Sequence, residues 1–365
     1  MVLNMVSPLN KITVLFSFLF FLMIGESAFS KNIISNDSIS SSFNKHSLYF
    51  NKNKVAHSFI IGGHLYGDNV NQLGVYPAAT LIGNIDRINA TNAEFFISLG
   101  DNIRESNELQ LNNFYDSFTS KLDFPFFSVL GNHDVYGIPE LFLELLQSPY
   151  YSFIYKGSSY IFIDAITNDG RIEGEQLAWL NKVIKLISRS SDVKNIFVFS
   201  HKPIWYDQIK EMGAFDDRYY HAFNFSNDIM PKLLELKKEI YLISDDFGGT
   251  VNGQQANLFY HQDSKNNIFY ISTGIGNNLY DSLVIINVGD DKNVTVNEFS
   301  LTEKNPTSIK NFDIGYYKEI RPYRSQWQKI KSRIYNQHIQ LGFIIGSLFT
   351  IILAFCGFLY FKKRY

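Results

Sequence analysis

The sequence has one cysteine in 365 residues, Cys356, and it falls inside a long apolar run near the C-terminal end. A disulfide in the remainder of the chain is therefore excluded, as are thiol catalysis and cysteine-ligated zinc, and the bulk of the protein must be stable through its core alone. Charge of one sign is also scarce. With 33 Lys and Arg against 35 Asp and Glu the formal net charge is −2, and no basic block occurs except in the last few residues. Such a chain has no electrostatic footprint for a polyanion, so nucleic acid is not an expected partner. Apolar side chains are plentiful, at 45% hydrophobic against 19% charged, which argues against disorder. The length suits one large globular domain plus targeting segments.

Both ends read as targeting segments. Lys11 is followed by an apolar run over residues 12–24, then by Ala28-Phe29-Ser30, with small residues at the two positions that a signal peptidase reads. Residues 1–30 are therefore expected to be a cleaved signal peptide; the alternative, an uncleaved anchor, has a core shorter than the ~20 residues of a stable span. Residues 341–361 carry no charge and, at 1.5 Å per residue, reach about 30 Å, the thickness of a bilayer core. They are expected to form a transmembrane helix. Lys362, Lys363 and Arg364 behind it place the tail, 362–365, in the cytoplasm and the main domain outside it. The expected compartment is the periplasmic side of a bacterial cytoplasmic membrane. The alternative is the lumen of the endoplasmic reticulum, for which the dilysine-like tail and acceptor sequons at Asn36, Asn89, Asn224 and Asn293 speak.

Between the ends, residues 31–54 are rich in Ser, Asn and Lys and read as a flexible leader. Short apolar runs then alternate with helical patterns: strands at 58–61, 95–99 and 126–130, helices at 76–88 and 109–122. A hairpin follows at 151–155 and 160–164, a helix at 175–187, strands at 196–199 and 240–243, and a largely strand-like stretch over 257–299. The pattern predicts a mixed α/β sandwich over 55–305 with an antiparallel ending. Residues 306–340 read as a basic stalk leading to the span. Aromatics from Trp205 through Phe223 read as loop packing, and His221 and His261 as surface or packing histidines.

Four polar clusters directly follow predicted strands: Gly62-Gly63-His64, Gly100-Asp101-Asn102, Gly131-Asn132-His133-Asp134 and Ser200-His201-Lys202-Pro203. In α/β sheets, groups just past the carboxyl ends of strands converge on one crevice, so these residues can meet despite their separation in sequence. Asp, Asn and His offer oxygen and nitrogen donors suited to a hard or borderline divalent cation.

In this ordered series the sequence resembles the calcineurin-like metallophosphoesterase superfamily, with Gly131-Asn132-His133-Asp134 the most specific match and residues 170–180 similar to a helix start seen in many members. The Gly-Gly-His-x-Tyr-Gly form of the first cluster resembles bacterial envelope members. The resemblance implies a four-layer sandwich of two mixed β-sheets flanked by helices. It implies that Asp101 bridges two metals, that Asn132 and His201 ligate the second, and that His133 contacts phosphate and protonates the leaving group, with Asp134 orienting His133 through a hydrogen bond.

Two departures stand out. The family has a carboxylate where this chain has Gly62, and a Gly-His-x-His motif where this chain has Ser244-Asp245-Asp246-Phe247. The first metal then keeps only His64 and Asp101, whereas the second gathers Asp101, Asn132, His201 and Asp245, so that one well-formed site is expected, with two possible if Asp68 or Asp246 rebuilds the first. A carboxylate in place of histidine favours manganese, iron or magnesium over zinc. The resulting expectation is a membrane-tethered metal-dependent hydrolase of phosphate monoesters or diesters, on a phosphorylated small-molecule, lipid or glycan substrate. The alternative is a catalytically decayed domain that binds a phosphorylated or glycan ligand in an envelope assembly.

Overall fold

In a computed structural model of the chain, the described residues are 33–34, 38–50, 55–67, 75–205, 224–245, 250–251, 254–255, 258–276, 281–302 and 308–320. The chain divides into two compact units, Met1–Tyr317 and Lys318–Tyr365, and the second is described only at the end of the helix Ile314–Ile320. The sheets and the candidate site belong to the first unit. The expected signal peptide, the transmembrane helix at 341–361, the tail, Asp68, Asp246 and Phe247 lie outside the described residues. Among the described residues no helix is long and apolar enough to cross a membrane.

The strands, in chain order, are β1 (Ile33–Ile34), β2 (Ser38–Ser40), β3 (Ser47–Tyr49), β4 (His57–Gly62), β5 (Phe95–Ser98), β6 (Phe126–Ser128), β7 (Tyr151–Tyr155) and β8 (Ser158–Phe162). They continue with β9 (Asn195–Ser200), β10 (Glu239–Ser244), β11 (Thr250–Val251), β12 (Gln254–Gln255), β13 (Phe259–Asp263), β14 (Ile268–Ser272), β15 (Ser282–Val288) and β16 (Val294–Ser300). Two mixed sheets carry the fold. One has the order β16-β15-β4-β5-β6, and the other β1-β7-β8-β9-β10-β14-β13. In the first, β4, β5 and β6 run parallel; in the second, β8, β9, β10 and β14 do.

The alternation of side chains explains both the layering and the near-continuous apolar runs of these strands. Phe59 and Ile61 of β4 enter a core that also holds Phe95, Ile97, Tyr160, Phe162, Phe197, Phe199, Tyr241 and Ile243, so that the two sheets face each other across it. Ile60, Phe96 and Phe126 point the other way and pack with Leu81, Ile88, Phe114 and Phe118 from the helical segments on the outer face. All six residues of β4 are consequently buried. Stacked rings such as Phe59 on Phe95, with centroids 5.2 Å apart, fill the inter-sheet layer, and each fully buried phenylalanine contributes roughly 1.5–3 kcal/mol.

Three expectations are corrected. Residues 38–50, within the expected flexible leader, are ordered into the fold: Ile39, Phe43 and Leu48 are buried, β2 pairs with β3, and Ser41 Oγ donates to the Phe126 carbonyl. The helix expected over 76–88 is two short ones, Ala79–Ile82 and Ile85–Asn89, interrupted at Gly83-Asn84. The helix expected over 109–122 runs Glu108–Ser117, capped by Asn107, whose side chain accepts from the Gln110 amide, and is followed by a 3₁₀ turn at Thr119–Lys121. A further helix, Pro139–Leu146, has proline in its first turn, where a missing N–H costs nothing.

At the end of the sandwich where β4 begins, a buried polar group closes the core. His57 Nδ1 donates to the Val55 carbonyl at 2.7 Å, and its Nε2 accepts from the Tyr160 hydroxyl at 2.6 Å. Beside it Lys156 pairs with Glu94 at 2.7 Å, and the Tyr155 hydroxyl donates to the same carboxylate.

Candidate active site

The carboxyl ends of the parallel strands of both sheets meet at the opposite end. His64 and Asp101 follow β4 and β5, Asn132 and His133 lie just beyond β6, and His201 and Asp245 directly follow β9 and β10. The chain turns sharply there. Asp101 (φ 55°) and His64 (φ 52°) occupy the left-handed region, unusual for non-glycine residues and recurrent at functional sites. Gly131 is required by close approach: a Cβ on it would lie 2.1 Å from the Asp101 amide nitrogen and 2.3 Å from Asp101 Oδ1.

Asp101 is the hub. It is 1% exposed, and its Oδ1 accepts from the His133 amide at 2.9 Å and lies 3.5 Å from His201 Nε2. Its Oδ2 lies 3.3 Å from His64 Nε2 and has no hydrogen-bond partner although buried. Burial pushes the carboxyl pKa up, but the imidazoles of His201, His64 and His133 outweigh it and hold Asp101 below the usual range. His201 is fully buried; its Nδ1 donates to the Leu99 carbonyl at 2.9 Å, which leaves Nε2 facing Asn132 Oδ1 at 3.0 Å.

Among the described residues no group of three or more His, Cys, Asp or Glu side chains is spaced to hold a metal ion by itself. The donors that meet here include an amide, however, and their spacing suits a cation. Two donors about 2.1 Å from one ion, at 90–110° to each other, stand roughly 2.8–3.6 Å apart, which the separations of 3.0, 3.5 and 3.3 Å match. With Nδ1–H committed to Leu99, neutral His201 turns a lone pair toward the Asn132 oxygen. Two acceptors facing each other beside Asp101 Oδ1, with Oδ2 of the same buried carboxylate lacking a donor, are what a divalent cation reconciles. The residues fit such an ion.

His133 sits beside this group, half-buried, its Nδ1 donating to the Arg104 carbonyl at 2.9 Å. The Tyr66 ring lies between the two outer histidines, 4.8 Å from His133 and 5.5 Å from His64 by ring centroids. The expected hydrogen bond from Asp134 to the His133 ring is not what holds it. Asp134 is fully buried and turned away, where Oδ2 accepts from the amides of Gly131 and Asp101 and from Asn102 Nδ2, and Oδ1 from the amides of Asn102 and Ile103. It is a staple between two loops. Burial, then the Asp101 charge, push its pKa up toward about 7, while the donors around it favour the ionised form.

Asp245 is also brought to the site, but to a different edge. Its Oδ2 accepts from His64 Nδ1 at 2.7 Å and lies 4.0 Å from His201 Nδ1, on the opposite edges of both rings from those that meet Asp101. The departure at position 62 has a physical reason: a Cβ on Gly62 would lie 2.4 Å from Leu283 Cδ2 and 3.4 Å from Phe96 Cζ, facing the apolar layer. Tyr66 and the carbonyls of Leu99 and Arg104 went unnoticed in the sequence. Tyr66 belongs to the Gly-Gly-His-x-Tyr-Gly run and could have been found there, whereas a carbonyl leaves no trace in residue type.

Residues 74–243 match the family described as calcineurin-like phosphoesterase. The match covers just under half of the chain. Among solved structures it is similar to a purple acid phosphatase from yellow lupin (Lupinus luteus) seeds, at 9% identity and a TM-score of 0.52, over 72% of this chain and 55% of that one. The chain thus spans about half the length of that phosphatase, and at this identity the likeness shows the fold. It is also similar to a Vps29 single mutant from Entamoeba histolytica (10% identity, TM-score 0.27, 67% of this chain and 98% of that one). Vps29 from Chaetomium thermophilum gives 11% and 0.27 over 67% and 96%. No curated protein matches the sequence. The matched segment includes Asp101, Asn132, His133 and His201.

Proposed function

We propose that the domain is a metal-dependent hydrolase of phosphate monoesters or diesters. The observation that carries this reading is the meeting of Asn132 and His201 with the buried Asp101 carboxylate at ligand-to-ligand spacing on Oδ1, while its Oδ2, toward His64, lacks a donor. Asp101, Asn132 Oδ1 and His201 Nε2 would hold the ion, with His64 Nε2, 3.3 Å from Asp101 Oδ2, as a further ligand. A divalent cation supplies Lewis acidity toward water and phosphoryl oxygens, and this oxygen-weighted set favours manganese, iron or magnesium over zinc. His133 does the proton work: with Nδ1–H tied to the Arg104 carbonyl, Nε2 is the nitrogen left for the leaving oxygen, and it donates a proton there from the imidazolium form. Asp134 keeps Asp101 and Asn102 in register. The sequence supports a tethered enzyme with its domain outside the cytoplasm, acting on a phosphorylated lipid, glycan or small molecule.

A second reading, a ligand-binding domain without turnover, is favoured by the missing carboxylate at Gly62. His133→Ala separates the two. For a hydrolase it preserves metal content and folding and lowers turnover of a poor-leaving-group ester by ~10²- to 10⁴-fold, with a smaller loss on a nitrophenyl ester. Equal turnover of wild type and variant on the poor-leaving-group ester would sink the role of His133. Absence of metal-dependent hydrolysis in the wild type would favour the binding domain.

A further inference from the structure

We infer that Asp245 is a positioning residue, the carboxylate that holds the His64 ring, and is not itself a metal ligand. The inference rests on the reading of this site as a metal centre, and it is carried by which edge of each imidazole faces what. A carboxylate only accepts hydrogen bonds, so the 2.7 Å contact makes His64 Nδ1 the donor. That leaves Nε2 as the edge 3.3 Å from Asp101 Oδ2. His201 is arranged the same way, with Nδ1 engaged behind by the Leu99 carbonyl and Nε2 toward Asn132 and Asp101. Asp245 thus stands behind the rings, where outer partners that fix the tautomer and orientation of a ligating histidine stand.

The fold builds a seat for this carboxylate. Asp245 is 3% exposed, and its amide donates to the His201 carbonyl at 3.0 Å, which ties its backbone to the residue after β9. Its side chain lies over Gly63, where a Cβ would stand 2.2 Å from Asp245 Oδ2 and 2.5 Å from its Cγ. The glycine on the first sheet and the carboxylate from the second are therefore complementary: the space Gly63 leaves is the space Asp245 fills. His64 needs such a restraint because its side chain is about a quarter exposed and its backbone is left-handed.

The test uses the full chain, stripped of metal in detergent, titrated with Mn(II) alone, with thermal unfolding in chelator as the check on folding. Asp245→Asn keeps an oxygen that accepts from Nδ1–H, so its Mn(II) affinity should stay within about threefold of wild type. Asp245→Ala should lose ~10- to 100-fold, as expected for a lost outer partner. Gly63→Ala, whose Cβ evicts the carboxylate, should lose as much, and the double variant Gly63→Ala with Asp245→Ala should be no worse than Asp245→Ala alone, because neighbours acting through one contact are not additive. An asparagine variant that falls as far as the alanine variant would make Asp245 a ligand, and a silent Gly63→Ala would remove the seat.

A second readout needs no metal. In histidine-¹⁵N spectra, with His64 assigned by its substitution, the wild type should show His64 protonated at Nδ1 and Asp245→Ala should abolish that preference. Protonation of wild-type His64 at Nε2 instead would overturn the inference. Wild type that binds no Mn(II) but shows the Nδ1–H form would refute the metal reading and uphold the positioning role.

Discussion

Replacing His57 should change how the fold responds to acid. Its side chain is buried against Tyr160, and burial is the largest influence on its pKa, which falls from 6.5 to about 4; the Val55 carbonyl and Glu94 push the other way, and Lys156 adds to the fall. In the unfolded chain the group titrates near 6.5, so between pH 4 and 6.5 the unfolded state binds more protons than the native state. Stability contributed by the neutral ring is therefore complete above about pH 6.5 and is lost as pH falls through that window. A gap of about 2.5 units at 1.36 kcal/mol each amounts to about 3 kcal/mol, and for a domain of this size that is roughly 6–12 °C in melting temperature. His57→Phe removes the proton-binding site and strands the Tyr160 hydroxyl, so it should be less stable than wild type at pH 7. The assay is thermal unfolding of both proteins, followed by circular dichroism, at steps from pH 7 to pH 4. The difference between them should shrink by about 3 kcal/mol over that range. A difference that stays constant would refute the claim that His57 is held neutral by burial.

Two further outcomes follow from the site. Gly62→Asp, which would restore the family's carboxylate, should destabilise the domain by about 2–4 kcal/mol in urea unfolding and add no metal equivalent, because the side chain meets Leu283 and Phe96 in place of the crevice; a second tightly bound ion in that variant would contradict this. Asp134→Asn turns an amide group toward N–H donors that now meet only carboxylate oxygen, and should cost about 2–4 kcal/mol while leaving the Arg104 contact of His133 intact; unchanged urea unfolding would argue against the staple.

The cluster from Gly131 to Asp134 was legible in the sequence because its members are contiguous and follow an apolar strand, and the same holds for Asp101 and His201. Backbone direction was not legible. Gly62 and Gly63 are adjacent and identical in type, yet one faces Leu283 and the other faces Asp245, and only the strand's rotation decides which is which. The His64–Asp245 pair spans 181 residues and two sheets, beyond the reach of any local pattern. Asp134 illustrates a different limit. Its place beside His133 suggested that it bonds the neighbouring ring, but the 3₁₀ turn at His133–Val135 sends the two side chains apart, and the carboxylate finds amides of the preceding loop instead. The helix expected over 76–88 failed for a local reason, since Gly83-Asn84 breaks a pattern whose apolar spacing continues across it.

The residues of the site have divided ownership: the ligands His64, Asp101 and Asn132 belong to the sheet containing β4, and the ligand His201 and the positioning residue Asp245 to the sheet containing β10. Any ion gripped by both parties is a rivet across the seam between the sheets. Whatever it binds with, it lends to the docking of one sheet on the other, and by reciprocity a looser seam weakens its grip. A substitution among the packed rings of Phe59, Phe95 and Phe197 would thus be felt at the rim of the crevice as a change in affinity, although none of those side chains is among the residues that meet there.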